Sequence, residues 1–490
     1  MSYLELLQLA LPEAIVVVTA LVVLALGLTS KRARARGAFV AALGLALAVK
    51  AILLLPQNAI LFHGMLAITP LSSLFKIICL ILAFFTVLLV RAEKSLRHPG
   101  EYLAIILLAT VGLMLLVGSE ELLMIFIGLE LTGLSLYILT AFDKAEINSA
   151  EAGLKYFLFG STASAFTLFG LSFIYGMTGS TSLAVIAQKL SGAPAAPLLT
   201  AGIVMTLIGF AFKIAAAPFH LWAPDAYQGA PIPSAAFIAS GSKVASFVVL
   251  GKIVLVGFGP MHGSAAWHGM IAGWSPLLAM LAAASILLGN LVALAQKNVR
   301  RLLAYSAVAH AGYTLLGLVA GGREGFSATL FYTSAYAFTL VGTFAVVGLV
   351  RRETGGDNLV NFAGLRARSP LLAGCMAVFL LSLAGLPPLA GFFGKFYLFS
   401  TALHGPGNFG LAWLVALALF GSLISLYYYL IILKMIFVDA PETGPFEAPS
   451  ASFIKMDFLS ASTIVVLAAV VLFLGIAPAT LLARILASLP

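Results

Sequence analysis

Apolar runs of about 17 to 25 residues recur some fourteen times along this chain, and nothing constrains its fold more. Each run is long enough to cross a ~30 Å hydrocarbon layer as a helix, the element that satisfies its own backbone there. The runs lie near 9–29, 38–55, 70–90, 101–118, 120–141, 151–176, 200–219, 230–256, 275–295, 300–320, 326–350, 370–400, 410–437 and 457–482. Of 490 residues 62% are hydrophobic and 9% charged, against roughly 25% charged in an average soluble domain. No soluble core of this length could hide so much apolar surface. The expected fold is therefore an all-α polytopic membrane protein with about fourteen transmembrane helices.

The first run follows Glu5 and contains Glu13 where a signal peptide would have basic residues, so it reads as an uncleaved helix. Cys79 and Cys375 both fall inside runs, and no C-x-x-C is present. Neither a disulfide frame nor a zinc or iron–sulfur site is expected in this chain.

The net charge of +9 is distributed by side. Alternate connections, "KRARAR" (31–36), "RAEKSLR" (91–97), "QKNVRR" (296–301) and 351–368, with Lys144 and Lys455, carry 16 of the 27 basic residues. The other connections carry only Lys189, Arg323 and Arg484. This positive-inside asymmetry places the basic connections in the cytoplasm and both termini outside it. Binding of anionic lipid is the other reading of a run such as "KRARAR".

Eight basic residues remain, within or at the ends of runs: Lys50, Lys76, Lys155, Lys213, Lys243, Lys252, Lys395 and Lys434. Insertion scales charge about 2.5–3.5 kcal/mol for a lysine or aspartate at the centre of a spanning helix. Lys50, Lys76, Lys252 and Lys434 are near enough to run ends to snorkel. Lys213 and Lys243 are not. Each lies about 13 residues into its run, which at 1.5 Å per residue is roughly 20 Å deep. Glu130, in "FIGLELTGLSLY", lies at similar depth. At an effective dielectric near 20, opposite charges 4 Å apart attract by about 4 kcal/mol, enough to offset insertion of one of them. A permanent ion pair is the plain reading. If Lys243 repels Lys213 while Glu130 holds it charged, the proton on Lys213 becomes switchable. Lys155 stands four residues after Glu151, and either a helix-surface pair or a supporting role under Lys213 explains it.

Two runs are interrupted by proline. Pro218 follows Lys213, and Pro387 and Pro388 precede Lys395 in "GLPPLAGFFGKFYLF". A proline inside a helix removes one backbone bond and clashes with the preceding turn. In lipid such a break survives only beside protein or a wet cavity. A wet break beside a lysine is one reading and a packing kink the other. The breaks also fall in register: 101–256 and 275–437 each hold five runs, with the break in the fourth. Five is odd, so the second set would be inverted relative to the first, a layout that places polar sites near the midplane. With 1–98 holding three further helices, and 438–490 a cytoplasmic loop and the last helix, the chain divides into four parts of one membrane domain.

Four stretches now bear comparison with a known family: "FKIAAAPFHLWAPDAYQGAP" (212–231), "SGSKVASF" (240–247), "QKNVRRLLAYSAVAHAGY" (296–313) and "LAGLPPLAGFFGKFYLF" (383–399). In this order they resemble the antiporter-like membrane subunits of proton-pumping NADH:quinone oxidoreductase, respiratory complex I. "GLELTGLSLYIL", the lysine in the twelfth run and the length resemble the subunit N branch of that family, the bacterial counterpart of mitochondrial subunit two. The resemblance covers 100–437 most strongly. It implies proton translocation through Glu130 and Lys213 as an input pair, Lys243 as central relay and Lys395 at the exit. His310, about mid-span, either bridges Lys243 and Lys395 through water or is a packing histidine. His220 and Asp225, in the turn after the first break, either line a proton entrance or serve an ordinary interfacial loop. The resemblance further implies neighbouring membrane subunits, K and M by expectation, in a bacterial inner membrane. Flavin, iron–sulfur clusters and quinone would belong to other chains, with no cofactor, metal or redox centre in this one and no nucleic acid as partner.

"GPGNFG" (405–410) matches the letters of a dinucleotide fingerprint, but it joins two spanning runs where a βαβ unit would be required. Two other classes of function remain open. One is a subunit of a multi-subunit Na⁺/H⁺ antiporter or a related membrane-bound hydrogenase complex. The other is a structural scaffold whose charges sit in permanent pairs.

Overall fold

The computed structural model describes residues 3–29, 33–93, 96–192, 196–404, 409–440 and 456–489. Lys31, Arg32, Lys94, Lys455 and residues 405–408 of the "GPGNFG" stretch lie outside the described residues. The principal helices are α1 (Leu11–Thr29), α2 (Ala33–Leu54), α3 (Pro70–Ala92), α4 (Pro99–Gly118), α5 (Leu122–Thr140) and α6 (Ile147–Thr178). There follow α7 (Pro197–Lys213), α8 (Trp222–Gly229), α9 (Ile232–Ala239), α10 (Gly241–Gly251), α11 (Trp274–Leu294), α12 (Val299–Ala320) and α13 (Gly322–Thr354). The last are α14 (Pro370–Ala384), α15 (Ala390–His404), α16 (Ala412–Phe437) and α17 (Phe458–Ile476).

Among the described residues twelve spans are long and apolar enough to cross a membrane, with α9 and α10 joined as parts of one of them. The seventh and twelfth runs are instead shorter pieces: α7 ends at Lys213, and α14 and α15 are separated at the double proline. The connection after α2 holds a short antiparallel ribbon, Ala59–Leu61 against Leu66–Ile68, inside an otherwise helical fold.

Local chemistry sets the helix ends. Thr69 accepts from the Ser72 backbone and Ser72 reciprocates, closing a capping box ahead of Pro70 at the first turn of α3. Asn298 and Ser369 cap α12 and α14 in the same way with their side-chain oxygens. Where α1 crosses α4, a Cβ on Gly100 would lie 2.4 Å from the Gly27 Cα, so only glycine admits that approach.

The helices fall into a buried centre and a lipid-height periphery. The spans α9–α10, α12 and α13 are each 94% buried, against 22% for α1 and 33% for α6. Lys243 and His310 lie on that buried centre, and Lys213 and Lys395 are buried as well.

The two ends of the bundle are held by ion pairs. At the basic end Arg300 pairs with Asp357 and donates to the Ala230 carbonyl at 2.8 Å. Nearby, Arg301 meets Asp225 at 2.6 Å, and Arg368 meets Glu353 at 2.9 Å. At the opposite end Lys76 meets Glu13 at 2.7 Å and Lys252 meets Glu120 at 2.7 Å. These last two correct the snorkelling expectation, because both lysines are buried. A carboxylate within reach offsets the cost of burial better than stretching toward water. Lys50 and Lys434 are exposed, and Lys434 lies 3.6 Å from Asp439.

Candidate functional site

The first break is built from Ile214–Ala217, all buried, with Ala215 in the left-handed region at φ 58°. Its polar groups find protein partners. The Trp222 indole donates to the Phe212 carbonyl at 3.0 Å, and the Ala217 backbone N–H donates to Ser285 Oγ on α11 at 2.8 Å. Trp222 is itself fixed by parallel stacking on Tyr156, with ring centres 4.1 Å apart. Two of the polar groups at the break are thus satisfied by protein, as an interrupted helix at membrane depth requires of its backbone. Pro218 faces outward beyond it.

Lys213, the last residue of α7, is buried, and its charge lies in electrostatic reach of Glu130 on α5. The two do not form a direct ion pair. They face a cavity of about 20 Å³ that Phe126, Tyr137, Ser164 and Thr167 also line, which is room for one water molecule. Glu130 accepts a hydrogen bond from Ser164 on α6. A carboxylate and an ammonium separated by one water-sized space can exchange a proton through that space, which a closed ion pair cannot do as readily.

Lys243 stands three residues after a kink the sequence did not lead us to expect. At Ser240 the chain departs from helical geometry between α9 and α10, and the Ser240 hydroxyl turns back onto the Ala236 carbonyl at 2.6 Å. A serine–glycine pair with such a back-bond is a recognised cause of kinks. The kink presents Lys243 to α12, where its Nζ donates to the Ala307 carbonyl at 2.7 Å and lies 5.6 Å from the centre of the Tyr336 ring. Lys395 is placed in a like manner, over the ring of Tyr313.

The second break ends α14 with Gly385 in the left-handed region, φ 89°, as Ala215 ends α7. In each case a proline of the break stands three residues later. Pro387 and Pro388 face outward. Lys395, ten residues past Gly385 on α15, returns to the break: its Nζ donates to the Ala384 carbonyl at 3.0 Å, at the C-terminal end of α14. An ammonium there meets an unsatisfied carbonyl and the negative end of the helix dipole. The same Nζ lies 5.0 Å from the centre of the Tyr313 ring.

His310 joins the two lysines. Its Nδ1 is hydrogen-bonded to the Tyr332 hydroxyl at 2.6 Å and its Nε2 to that of Tyr429 at 3.2 Å, which in turn meets Ser306. The imidazole lies 4.8 Å from the Tyr336 ring and 5.6 Å from that of Tyr313, the two rings that carry Lys243 and Lys395. His310 is thus packed and hydrogen-bonded, and the two rings it packs against are those that carry the lysines. Asn290 steadies the same group, donating to Tyr313 at 2.9 Å and accepting from Tyr428 at 3.1 Å.

The remaining candidates separate from this line. Lys155 bonds Glu151 at 2.6 Å and Asp225 at 2.8 Å near the basic end. Asp225, on the short helix α8 outside the spans, also holds Arg301. Partial burial pushes its carboxyl up, but the bonds from Lys155 and Arg301 outweigh that and hold it below its ordinary value. His220 is buried, with its ring 6.1 Å from that of Tyr305. Among the described residues no group of three His, Cys, Asp or Glu side chains is arranged to hold a metal ion.

Comparison with known proteins places this architecture. The sequence model of the "NADH:quinone oxidoreductase/Mrp antiporter, TM" family matches residues 119–425, more than half of the chain. The chain belongs to this family. A protein of Acidobacterium capsulatum named NADH-quinone oxidoreductase subunit N 2 is 46% identical over 97% of this chain and 98% of its own length. NADH-quinone oxidoreductase subunit N of Desulforamulus reducens is 40% identical over 90% of this chain and 91% of its own. A chain of respiratory complex I from Thermus thermophilus superposes with TM-score 0.79 at 35% identity, covering 96% of this chain and 98% of that one. A chain of the Mrp complex from Dietzia superposes with TM-score 0.85 at 22% identity, covering 99% and 97%, a likeness of fold alone.

In this member of the family several site residues escaped sequence reasoning. Ser164, Asn290, Tyr313, Tyr332, Tyr336 and Tyr429 carry no charge and stand in apolar helices, so nothing in the sequence singled them out individually. The signal available was spacing. His310 and Tyr313 stand three apart on α12, Tyr332 and Tyr336 four apart on α13, so each pair shares a helix face.

Proposed function

We propose that the chain is a proton-translocating membrane subunit of an NADH:quinone oxidoreductase, passing protons from its basic end to the opposite end. The basic end faces the cytoplasm and both termini the periplasm of a bacterial inner membrane, on the charge asymmetry of the connections. Lys213, with Glu130 beside it, takes up a proton; Lys243 relays it; Lys395 delivers it outward. The observation that carries this reading is the line from Lys243 through Tyr336, His310 and Tyr313 to Lys395, buried along its whole length. Lysines that meet only carbonyl oxygens and ring faces are poor structural cement, since a fixed carboxylate partner would stabilise the fold better.

Electron transfer, flavin, iron–sulfur clusters and quinone belong on this reading to partner chains, and this chain contributes no redox centre. Subunits K and M are its proposed neighbours. The division into three N-terminal helices, two inverted five-helix units and a final helix is part of the same proposal. Its support is the matched left-handed residue and proline at Ala215–Pro218 and Gly385–Pro388.

The test uses the assembled complex in membrane vesicles. Lys213→Ala and Glu130→Ala should each lower proton pumping while the complex still assembles; normal pumping by both variants would remove the cycle. Mass spectrometry of the co-purifying chains separates this reading from an Na⁺/H⁺ exchanger, which would bring no flavin or iron–sulfur subunit with it.

A further inference from the structure

A cleft of about 420 Å³ opens at the basic end, lined by Asp143, Glu146, Gln228, Arg300, Arg351 and Asp357 among others. Residues 228 to 232, directly after Tyr227, form part of its wall. The Tyr227 hydroxyl is fully buried and has no hydrogen-bond partner among the described residues, and the same is true of the Tyr336 hydroxyl. Buried hydroxyls are nearly always satisfied by protein or by ordered water, so two together call for an explanation. Tyr336, Leu340, Phe344 and Gly348 follow one another at four-residue spacing along one face of α13. Gly348 lines the cleft, the Tyr227 ring packs 5.8 Å from that of Phe344, and Tyr336 lies under Lys243.

We propose that Tyr227 and Tyr336 line a narrow hydrated passage from the cleft to Lys243, a second proton entrance that bypasses Glu130 and Lys213. Water in the passage satisfies both hydroxyls, and each hydroxyl can accept one proton while giving up another, so neither needs to ionise. The inference rests on the reading of Lys243 as a proton carrier.

Access is measured in the intact complex, in vesicles with the basic end outward. Lys243→Cys is the reporter and a small cationic methanethiosulfonate the probe, and labelling from the basic end is expected. Tyr227→Trp, which fills the passage, should slow it by at least about tenfold, a barrier increment of about 1.4 kcal/mol. Ala163→Leu, which fills the Glu130–Lys213 cavity, should leave the rate as it was. The reverse pattern, or no labelling from the basic end, overturns the proposal. Tyr336→Cys is the second reporter if Lys243→Cys does not assemble. Tyr227→Phe, which removes only the hydroxyl, replaces the tryptophan on the same terms and should slow labelling severalfold. Normal pumping by Lys243→Ala, with the labelling pattern as expected, would instead remove Lys243 as a carrier and leave a water path.

Discussion

The ends of this molecule and its middle treat buried charge in opposite ways. At the ends, Arg300, Lys76 and Lys252 are buried and each has a carboxylate at contact distance: Asp357, Glu13 and Glu120. In the middle, Lys213, Lys243 and Lys395 are equally buried, and among the described residues no carboxylate forms an ion pair with any of them. Their partners are a shared cavity with Glu130, a mid-helix carbonyl and a helix-end carbonyl. A fixed pair keeps its proton whatever happens nearby, because losing either charge strands the other. A lysine that meets only dipoles and rings has no such lock, so a small change around it can decide whether it is protonated. Burial alone does not separate the two groups of cations; the presence or absence of a bound counter-charge does.

The comparison is broken first at the ends. Removing one member of the Arg300–Asp357 pair, by Arg300→Met or Asp357→Asn, strands a buried charge and should cost about 3–5 kcal/mol. Arg300→Met with Asp357→Leu should recover most of that, as apolar replacement of a whole pair often does. Thermal melting of the purified complex reads both. If the double variant is no better than the singles, the end pairs are more than fasteners.

The middle is tested next. A positioned proton-transfer group contributes about 10²–10⁴-fold, so Lys395→Ala should lower proton flux through this chain at least about a hundredfold, with assembly intact. Lys252→Met combined with Glu120→Gln should leave flux per assembled complex unchanged, although Lys252 is as deeply buried as Lys395. Equal losses from both would erase the distinction between paired and unpaired lysines.

The support around His310 should matter less. Tyr332→Phe removes one neutral hydrogen bond to the imidazole, and its net effect on stability should be about 1 kcal/mol. Flux should fall only if that bond also orients the ring, so comparing the two losses sharpens His310 as relay against His310 as packing.

Much of this was legible in the sequence, and what was hidden has one physical cause. The depth of Lys213 and Lys243 follows from rise per residue, and the breaks follow from Pro218, Pro387 and Pro388, because both are local properties of the chain. Pairing is not local. Glu120 and Lys252 meet from positions 132 residues apart, so snorkelling was the only reading their neighbourhoods supported. The tyrosines around His310 were hidden for a related reason: a ring in an apolar helix packs equally well whether or not a cation lies over its face. The kink at Ser240 was the nearest miss, since "SGSK" carries a serine–glycine pair two residues before Lys243.

The smallest effect concerns Asp225, whose place at the basic end makes it a fastener if the comparison holds. Its carboxyl is held below the ordinary value by Lys155 and Arg301. A group whose value is lowered by folding contributes stability above its unfolded value, and that contribution fades as pH falls through its folded value. The wild-type complex should therefore melt slightly above Asp225→Asn at neutral pH. The gap should close as the medium is acidified past the carboxylate range, and at neutral pH it should narrow in high salt, because the pair is partly exposed. Proton flux per assembled complex should be the same in both. A flux loss in Asp225→Asn at neutral pH, with melting unchanged, would move Asp225 from the ends of the molecule to the transport path and redraw the boundary between the two kinds of charge.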